Sequence, residues 1–393
     1  MPPARDSARR VARASRSRAV RRRRLVLLAG AALALIAGAA LGARHDDEQR
    51  FTAFIHPQPA PRSRPVPSPT PAAVDRLSLA QQVGKLIVLR FDGTEAPPYV
   101  RRALNRGWAA GAILFRDNVA APSQLRQLTG ALRASGRHAG ATPIVCVDQE
   151  GGPIRIVSWA PPVSAAAGQR PGPDARAAGS ALRALGINVA LAPVGDVPSV
   201  AGAALETRAF SHDPRRAASA VAAAVKGWLG AGVAPTAKHF PGLGGTTVNT
   251  DRGSTVIAGG APTGRDLAPF KAAISAGVPL VMSAHAVYPA LDRAHIASQS
   301  PAVLEDLLRA KLGFKGVVMT DSIEAVAVRA TGTTEQVAVR SIAAGNDIVL
   351  TTGQGSWIRA YRALLARARA SKSFRARVRA SAARVLALQA RLR

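Results

Sequence analysis

Apolar, β-branched runs of five to eight residues recur along the chain, each followed by a stretch whose apolar positions return every three or four residues. The runs are Lys85–Phe91, Gly111–Phe115, Pro143–Asp148, Val189–Asp196, Ala234–Phe240, Leu280–His285, Gly316–Asp321 and Asp347–Thr352. The stretches between them predict helices over Pro122–Ser135, Asp174–Leu185, Pro214–Gly230, Gly264–Ser275, Pro301–Lys311 and Thr334–Ala344. Several of these open on Pro or a capping residue and close at Gly, as helix ends do. Strands alternating with helices read as repeated βα units around a parallel sheet. Eight is the barrel number, and no dinucleotide-binding glycine fingerprint follows a strand. The expected fold is therefore an α/β (β/α)8 TIM barrel rather than a doubly wound sheet.

A different pattern precedes the barrel. Leu25 to Ala43 is nineteen residues without a charge, long enough at about 1.5 Å per residue to approach the ~30 Å hydrocarbon core of a bilayer. Arg21 to Arg24 stand before it and Arg44-His45-Asp46-Asp47-Glu48 after it, so the positive-inside bias keeps the amino end cytoplasmic and exports the rest. The run exceeds the usual core of a signal peptide, which favours a single-pass membrane anchor. The small residues Ala40-Leu41-Gly42-Ala43 keep a cleaved signal peptide and a secreted product as the alternative. Residues 56–73 contain seven prolines, a semi-rigid extended spacer. The expected organisation is a basic tail (1–24), an anchor or signal segment (25–43), a Pro-rich linker (44–75) and the barrel (76–393).

Composition narrows the class. Hydrophobic residues are 48% and charged residues 19%, which excludes a chiefly disordered chain. The net charge is +30, but residues 1–24 hold ten Arg against one Asp, and residues 355–393 hold eleven Lys or Arg and no acid, so two-thirds of the excess sits at the ends. Aromatic residues are 4%, too few for base-stacking platforms, so no nucleic-acid partner is expected. Attraction to an anionic wall or membrane suits such a surface better. Leucines and valines interleave with the arginines of 355–393, reading as helices packed by one face with the arginines in solvent. Cys146 is the single cysteine, inside the run Pro-Ile-Val-Cys-Val. It reads as a small buried hydrophobe, and no intramolecular disulfide can form.

Polar residues collect at one end of the predicted strands. Asp148, Asp196, Lys238 with His239, His285 and Asp321 all close a run, and that end of a barrel is where active sites form. There is no HExxH, no paired CxxC, no GxxxxGK[ST] and no GxSxG, so metal, nucleotide and serine hydrolysis lack their motifs. Carboxylates, Lys, His and Arg on a barrel rim suit the gripping of sugar hydroxyls and attack at an anomeric carbon. The Gly-rich stretch Pro241–Thr247 lacks a phosphate-holding Lys and reads as a mobile loop.

These residues carry a resemblance. Val147-Asp148-Gln149-Glu150-Gly151-Gly152, Leu191–Val197, Arg208–Pro214, Thr236-Ala237-Lys238-His239-Phe240-Pro241-Gly242 and Gly313–Asp321 together resemble the family 3 glycoside hydrolases, most of all the single-domain bacterial β-N-acetylhexosaminidases. The similarity runs in order across roughly residues 77–350. It implies a retaining mechanism through a glycosyl-enzyme, with Asp321 as nucleophile and Asp148, Arg208, Lys238 and His239 on the hydroxyls of the terminal sugar. It also implies an acetamido sugar of peptidoglycan or chitin-like chains as substrate, with no cofactor and no metal, and a monomer is expected.

The departures are local. The branch continues its KHFPG block toward an Asp-x-His pair whose His is the acid/base. Here Asn249 stands in the Asp position and Asp251 in the His position, and Pro153 replaces an Arg after the DQEGG block, with Arg155 two positions on. Either Asp251 serves as acid/base, held by Asn249, or the barrel binds glycan at the cell envelope without turning it over. His285 is expected on substrate or packed against backbone, Asp196 as support for the rim, and Glu150 as closing a hydrogen bond within its own loop.

Overall fold

The computed structural model describes residues 71–137, 140–257 and 262–392. The expected basic tail and membrane segment (1–24 and 25–43), and the linker as far as residue 70, lie outside the described residues. Among the described residues no helix is long and apolar enough to cross a membrane.

Eight parallel strands close a barrel: β1 (Ile87–Leu89), β2 (Gly111–Ile113), β3 (Ile144–Val147), β4 (Val189–Ala190), β5 (Ala234–Phe240), β6 (Leu280–Ser283), β7 (Val317–Ser322) and β8 (Ile348–Leu350). Closure is made where Ile87 of β1 pairs with Val349 of β8. Seven of the strands fall inside one of the eight apolar runs of the sequence, and β7 overruns its own by one residue, Ser322. β4 is far shorter than its run: past Ala190 the regular ladder gives way to single backbone bonds and the isolated Val194–Lys238 bridge, and Pro193 has no N–H to offer it.

Strand alternation explains why the runs are apolar throughout. Val88, Ile113, Ile144, Cys146, Val189, Leu280, Met282, Val317, Met319, Ile348 and Leu350 fill the barrel interior. Their neighbours Ile87, Leu89, Val145, Val147 and Val349 pack outward against helices, as do Val281 and Val318 on the other half of the barrel. Cys146 is fully buried, and burial raises its thiol pKa far above the ordinary value.

The outer layer comprises α1 (Leu79–Gly84), α2 (Pro98–Asn105), α3 (Pro122–Arg137), α4 (Pro171–Ala184), α5 (Pro214–Gly230), α6 (Gly264–Ser275), a π-helix (Ala302–Lys311), α7 (Thr334–Ala344), α8 (Ser356–Ala370) and α9 (Lys372–Arg391). Local chemistry starts several of them. Asp213 accepts from the Arg215 and Arg216 amides before Pro214 opens α5. Thr263 and Thr333 form capping boxes on α6 and α7. Ten residues of apolar spacing do not separate a π-helix from an α-helix, so the wider turn of Ala302–Lys311 was not legible beforehand.

Two sequence expectations change at the margins. The helix Pro71–Asp75 lies within the expected linker, and its Val74 is 1% exposed, packed in the core. The arginines of the C-terminal helices are not all in solvent. Val385 and Leu388 of α9, with Leu392, close the foot of the barrel. Beside them the buried Asp347 carboxylate, at the foot of β8, accepts from Arg384 (2.9 Å), Ser381 (2.8 Å), Arg377 (3.4 Å) and Arg309 (2.7 Å).

Candidate active site

The opposite, C-terminal rim holds the polar residues. β3 ends at Val147, and Asp148 is followed by a tight antiparallel hairpin, Gln149–Gly151 against Ile154–Arg155. Gly151 has φ 102°, and a Cβ there would lie 2.3 Å from the Ser164 carbonyl, so this turn needs glycine. The buried Gln149 amide donates to the Val157, Ala160 and Pro161 carbonyls and ties the following loop down.

Glu150 does not close a hydrogen bond within its own loop through its carboxylate. It reaches Arg208, in the loop after β4, with two bonds of 2.8 and 2.7 Å, and Lys238 of β5 at 2.5 Å. Lys238 also meets Asp148 at 2.5 Å. Two acids and two cations thus neutralise one another below the rim. Burial alone would raise the Glu150 pKa, but Lys238 and Arg208 outweigh it and hold the carboxyl down at about 2. Burial opposes the charge on Arg208 and Lys238, and the acids around them win, so both pKa values are raised. The signal for this role was arithmetic: two cations ending neighbouring elements need a second carboxylate beside Asp148.

Asp196 is buried and supports the rim. Its Oδ2 holds His239 Nδ1 at 2.8 Å, and its Oδ1 accepts from the Leu243 amide at 2.7 Å. Donation of Nδ1–H to that carboxylate turns His239 Nε2 toward Asp321, 3.8 Å from Oδ2. Asp321 Oδ1 accepts from the Ser322 amide at 2.7 Å. Burial raises the Asp321 pKa, but the His239, His285 and Lys238 charges and the Ser322 amide together leave it below the ordinary value.

Pro241 to Gly244 are buried, and the loop is pinned rather than free. The Gly244 carbonyl accepts from Ser199, the Thr246 carbonyl from Ala204, and the Asp251 and Thr250 carbonyls from Val326 and Ala327. A Cβ on Gly244 would lie 1.8 Å from the Val197 carbonyl. Asn249 does not touch the Asp251 carboxyl; its Oδ1 accepts from the Asp251 backbone amide at 2.9 Å, an Asx turn. The Asp251 side chain is exposed at the mouth. Protein on its inner side and the Asp321 charge raise its pKa, over the opposing His239, His285 and Arg208.

These groups surround one open cavity of about 150 Å³, lined by Asp148, Ile154, Leu205, Arg208, Lys238, His239, Leu243, Asn249, Thr250, Asp251 and Asp321. That is well below the ~300–1,000 Å³ of a drug-sized pocket, and suits one small ring. His285 does not line it. The residue is 1% exposed, with Nδ1 on Ser298 Oγ (2.8 Å) and Nε2 on the Ser322 carbonyl (3.0 Å), so it packs against the strand end instead of facing substrate. Pro153 presents its carbonyl to Arg116 at 2.9 Å, and Ile154 and Leu205 are apolar walls the sequence reading missed. Among the described residues no cluster of three His, Cys, Asp or Glu side chains is spaced to hold a metal ion.

A barrel with this rim has known relatives. A β-hexosaminidase of Stenotrophomonas maltophilia (strain K279a) is 34% identical over 285 residues, covering 67% of this chain and 82% of that protein. An uncharacterized secreted glycosyl hydrolase of Arthroderma benhamiae is 34% identical over 298 residues, covering 71% and 84%. The solved family 3 β-N-acetylglucosaminidase of Paenibacillus sp. str. FPU-7 superposes with a TM-score of 0.75 at 34% identity, covering 80% of this chain and 63% of that chain. The model of the glycosyl hydrolase family 3 N terminal domain matches residues 78–388, and the chain belongs to that family.

Proposed function

We propose that the protein is a retaining β-N-acetylhexosaminidase that releases terminal N-acetylglucosamine-type sugars from cell-wall or related glycans. The observation that carries this is the meeting, in one ring-sized cavity, of two carboxyls with opposed pKa shifts and an Asp148–Lys238–Arg208 grip whose charge is balanced by Glu150 behind it. Asp148, Lys238 and Arg208 hold hydroxyls of the terminal sugar. Ile154, Leu205 and Leu243 offer apolar surface to an acetamido methyl. The amino-sugar substrate rests on the names of the Stenotrophomonas and Paenibacillus relatives.

Asp321, held ionised, attacks the anomeric carbon as the bond to the leaving oxygen breaks. Asp251, whose carboxyl is pushed up toward protonation, delivers its proton to that oxygen. Once ionised, Asp251 takes a proton from water, which attacks the glycosyl-enzyme and restores Asp321. Pairs of carboxyls pushed apart in this way divide acid and nucleophile roles between them. His239, steered by Asp196, steadies the negative charge of Asp321. Export follows from residues 21–48: the body faces outward, tethered by residues 25–43, and the secreted Arthroderma relative fits an exported enzyme.

Replacement of the family's Asp-x-His by Asn249 and Asp251, with Asn249 bonded only to backbone, favours a second reading, a glycan-binding protein without turnover. Kinetics separate the two. Wild type should hydrolyse a nitrophenyl N-acetylglucosaminide, and Asp321→Asn should lose at least about 10³-fold in kcat while keeping sugar binding. Asp251→Ala should slow substrates with poor leaving groups about 10²–10⁴-fold and activated aryl glycosides far less, with azide restoring turnover as a glycosyl azide of retained configuration. A wild type inert toward activated substrates establishes the binding reading. Equal effects of Asp251→Ala on both substrate types, with no azide response, remove Asp251 from the acid/base role.

A further inference from the structure

A second cleft opens on the same rim, between the loops after β1 and β8, with a volume of about 820 Å³. β8 lies between β7 and β1 in the barrel, so this cleft is the next stretch of rim beyond the Asp321 strand. The two are joined by hydrogen bonds. Ser322, adjacent to Asp321, meets Thr352 of the cleft wall at 2.6 Å, and Glu324 accepts from both side chains and from the Thr352 amide.

The walls pair an aromatic face with polar groups. Tyr99, in the first turn of α2, stacks on Trp357, in the first turn of α8, with ring planes 12° apart and centroids 6.5 Å apart. Trp357 is 8% exposed whereas Tyr99 is 46% exposed, so the stack presents a tyrosine to solvent on a braced base. Beside it Asp92 accepts from Gln354 Nε2 at 3.0 Å and pairs with Arg90 at 3.1 Å, a fixed row of donors and acceptors. A pyranose ring has an apolar C–H face and a hydroxylated edge, which an aromatic platform with flanking polar groups matches.

Direction adds to chemistry. The cations and Asp148 that would grip the terminal sugar stand on β3, β5 and the loop after β4, while the attacking carboxylate stands on β7. Attack by Asp321 requires the bond to the leaving oxygen to lie on the opposite face of the ring, so the rest of the glycan leaves the small cavity outward over the rim, where the second cleft opens beside β7.

We propose that the Tyr99–Trp357 cleft binds the leaving part of a β-linked oligosaccharide, with Tyr99 as stacking platform and Gln354 and Asp92 on ring hydroxyls. This rests on the reaction proposed above and extends it from a single sugar to a chain-reading site. The test uses the full chain as wild type, Tyr99→Ala and Gln354→Ala, with two substrates: a nitrophenyl N-acetylglucosaminide, which fills the small cavity alone, and a β-linked N-acetylglucosamine tetrasaccharide. Tyr99→Ala should lower kcat/KM for the tetrasaccharide about tenfold through KM, with Gln354→Ala less affected, and should leave the aryl glycoside within about twofold. Calorimetric titration of the tetrasaccharide into Asp321→Asn, with and without Tyr99→Ala, reads the same site without turnover and should show the same loss of affinity. An unchanged substrate ratio, or equal tetrasaccharide affinity with and without Tyr99, overturns the proposal. Failure of the wild type on the aryl glycoside overturns the reaction instead, and the titration still decides the cleft.

Discussion

Glu150 sits on both cations of the site, which makes it the residue whose charge decides whether they hold their places. Lys238 is buried and Arg208 half-buried, at distances where each depends on a counter-charge. Glu150→Gln keeps the shape and removes the charge, leaving Asp148 alone between two cations. Breaking a buried pair from one side costs about 3–5 kcal/mol, and that loss of stability is expected in denaturant titration. The pH dependence has a definite sign. A carboxyl whose pKa falls from 4.5 unfolded to about 2 folded contributes stability that is present above the unfolded value and lost as pH falls toward the folded one. Wild type should therefore lose stability steeply between about pH 5 and pH 2, and Glu150→Gln should start lower and show a shallower slope there. Parallel acid-unfolding curves would mean that Glu150 carries no such linkage. The same residue shows where sequence reading stopped. Asp148, Asp196, Lys238, His239 and Asp321 were legible as rim residues because each ends an apolar run. Glu150 ends none, and its partners lie 58 and 88 positions away, as the contacts Arg208–Glu150 and Lys238–Glu150 show.

At the scale of elements, the eight strands were legible because burial on both faces makes each a continuous apolar run. Helices α5, α6 and α7 were legible to the residue because Pro214, Gly264 and Thr334 follow capping side chains. α9 was the hard one. Its arginines look like a solvated stripe, and only the fold brings Arg377 and Arg384 over Asp347, while Val385 and Leu388 plug the barrel. Asp347 also accepts from the Val318 amide at 3.0 Å, so one carboxylate joins α9, the π-helix Arg309 and the feet of β7 and β8. Asp347→Ala should strand three arginines and destabilise the barrel by about 3–5 kcal/mol in chemical denaturation. Asp75→Ala breaks only the exposed pair with Arg379 and should leave the transition in place. Equal effects of the two substitutions would show that α9 is held by its apolar face alone.

The whole molecule separates its functions along the chain and around the barrel. The candidate site gathers at the C-terminal rim and the basic C-terminal helix closes the foot, while the proposed export signal lies in the amino-terminal residues outside the described barrel. In the proposed topology, the ten Arg of residues 1–24 ahead of nineteen uncharged residues set the direction of transfer, because a basic flank resists crossing while an apolar run favours the bilayer. With one cysteine the chain can form no intramolecular disulfide in any compartment, and its stability comes from the barrel core and the buried ion pairs. The expected outcome in cells is full-length protein in the membrane fraction, with the barrel accessible to protease added from outside and the amino end protected. Replacing Arg21 to Arg24 with Asp or Ser should reduce the correctly oriented fraction, since the flank that fixes topology is then gone. A mature amino terminus near Arg44, read by intact mass, would make residues 25–43 a cleaved signal and the enzyme a secreted one. Full-length protein soluble in the cytoplasm, with no external protease sensitivity, would end the assignment of export and with it the wall glycan as substrate.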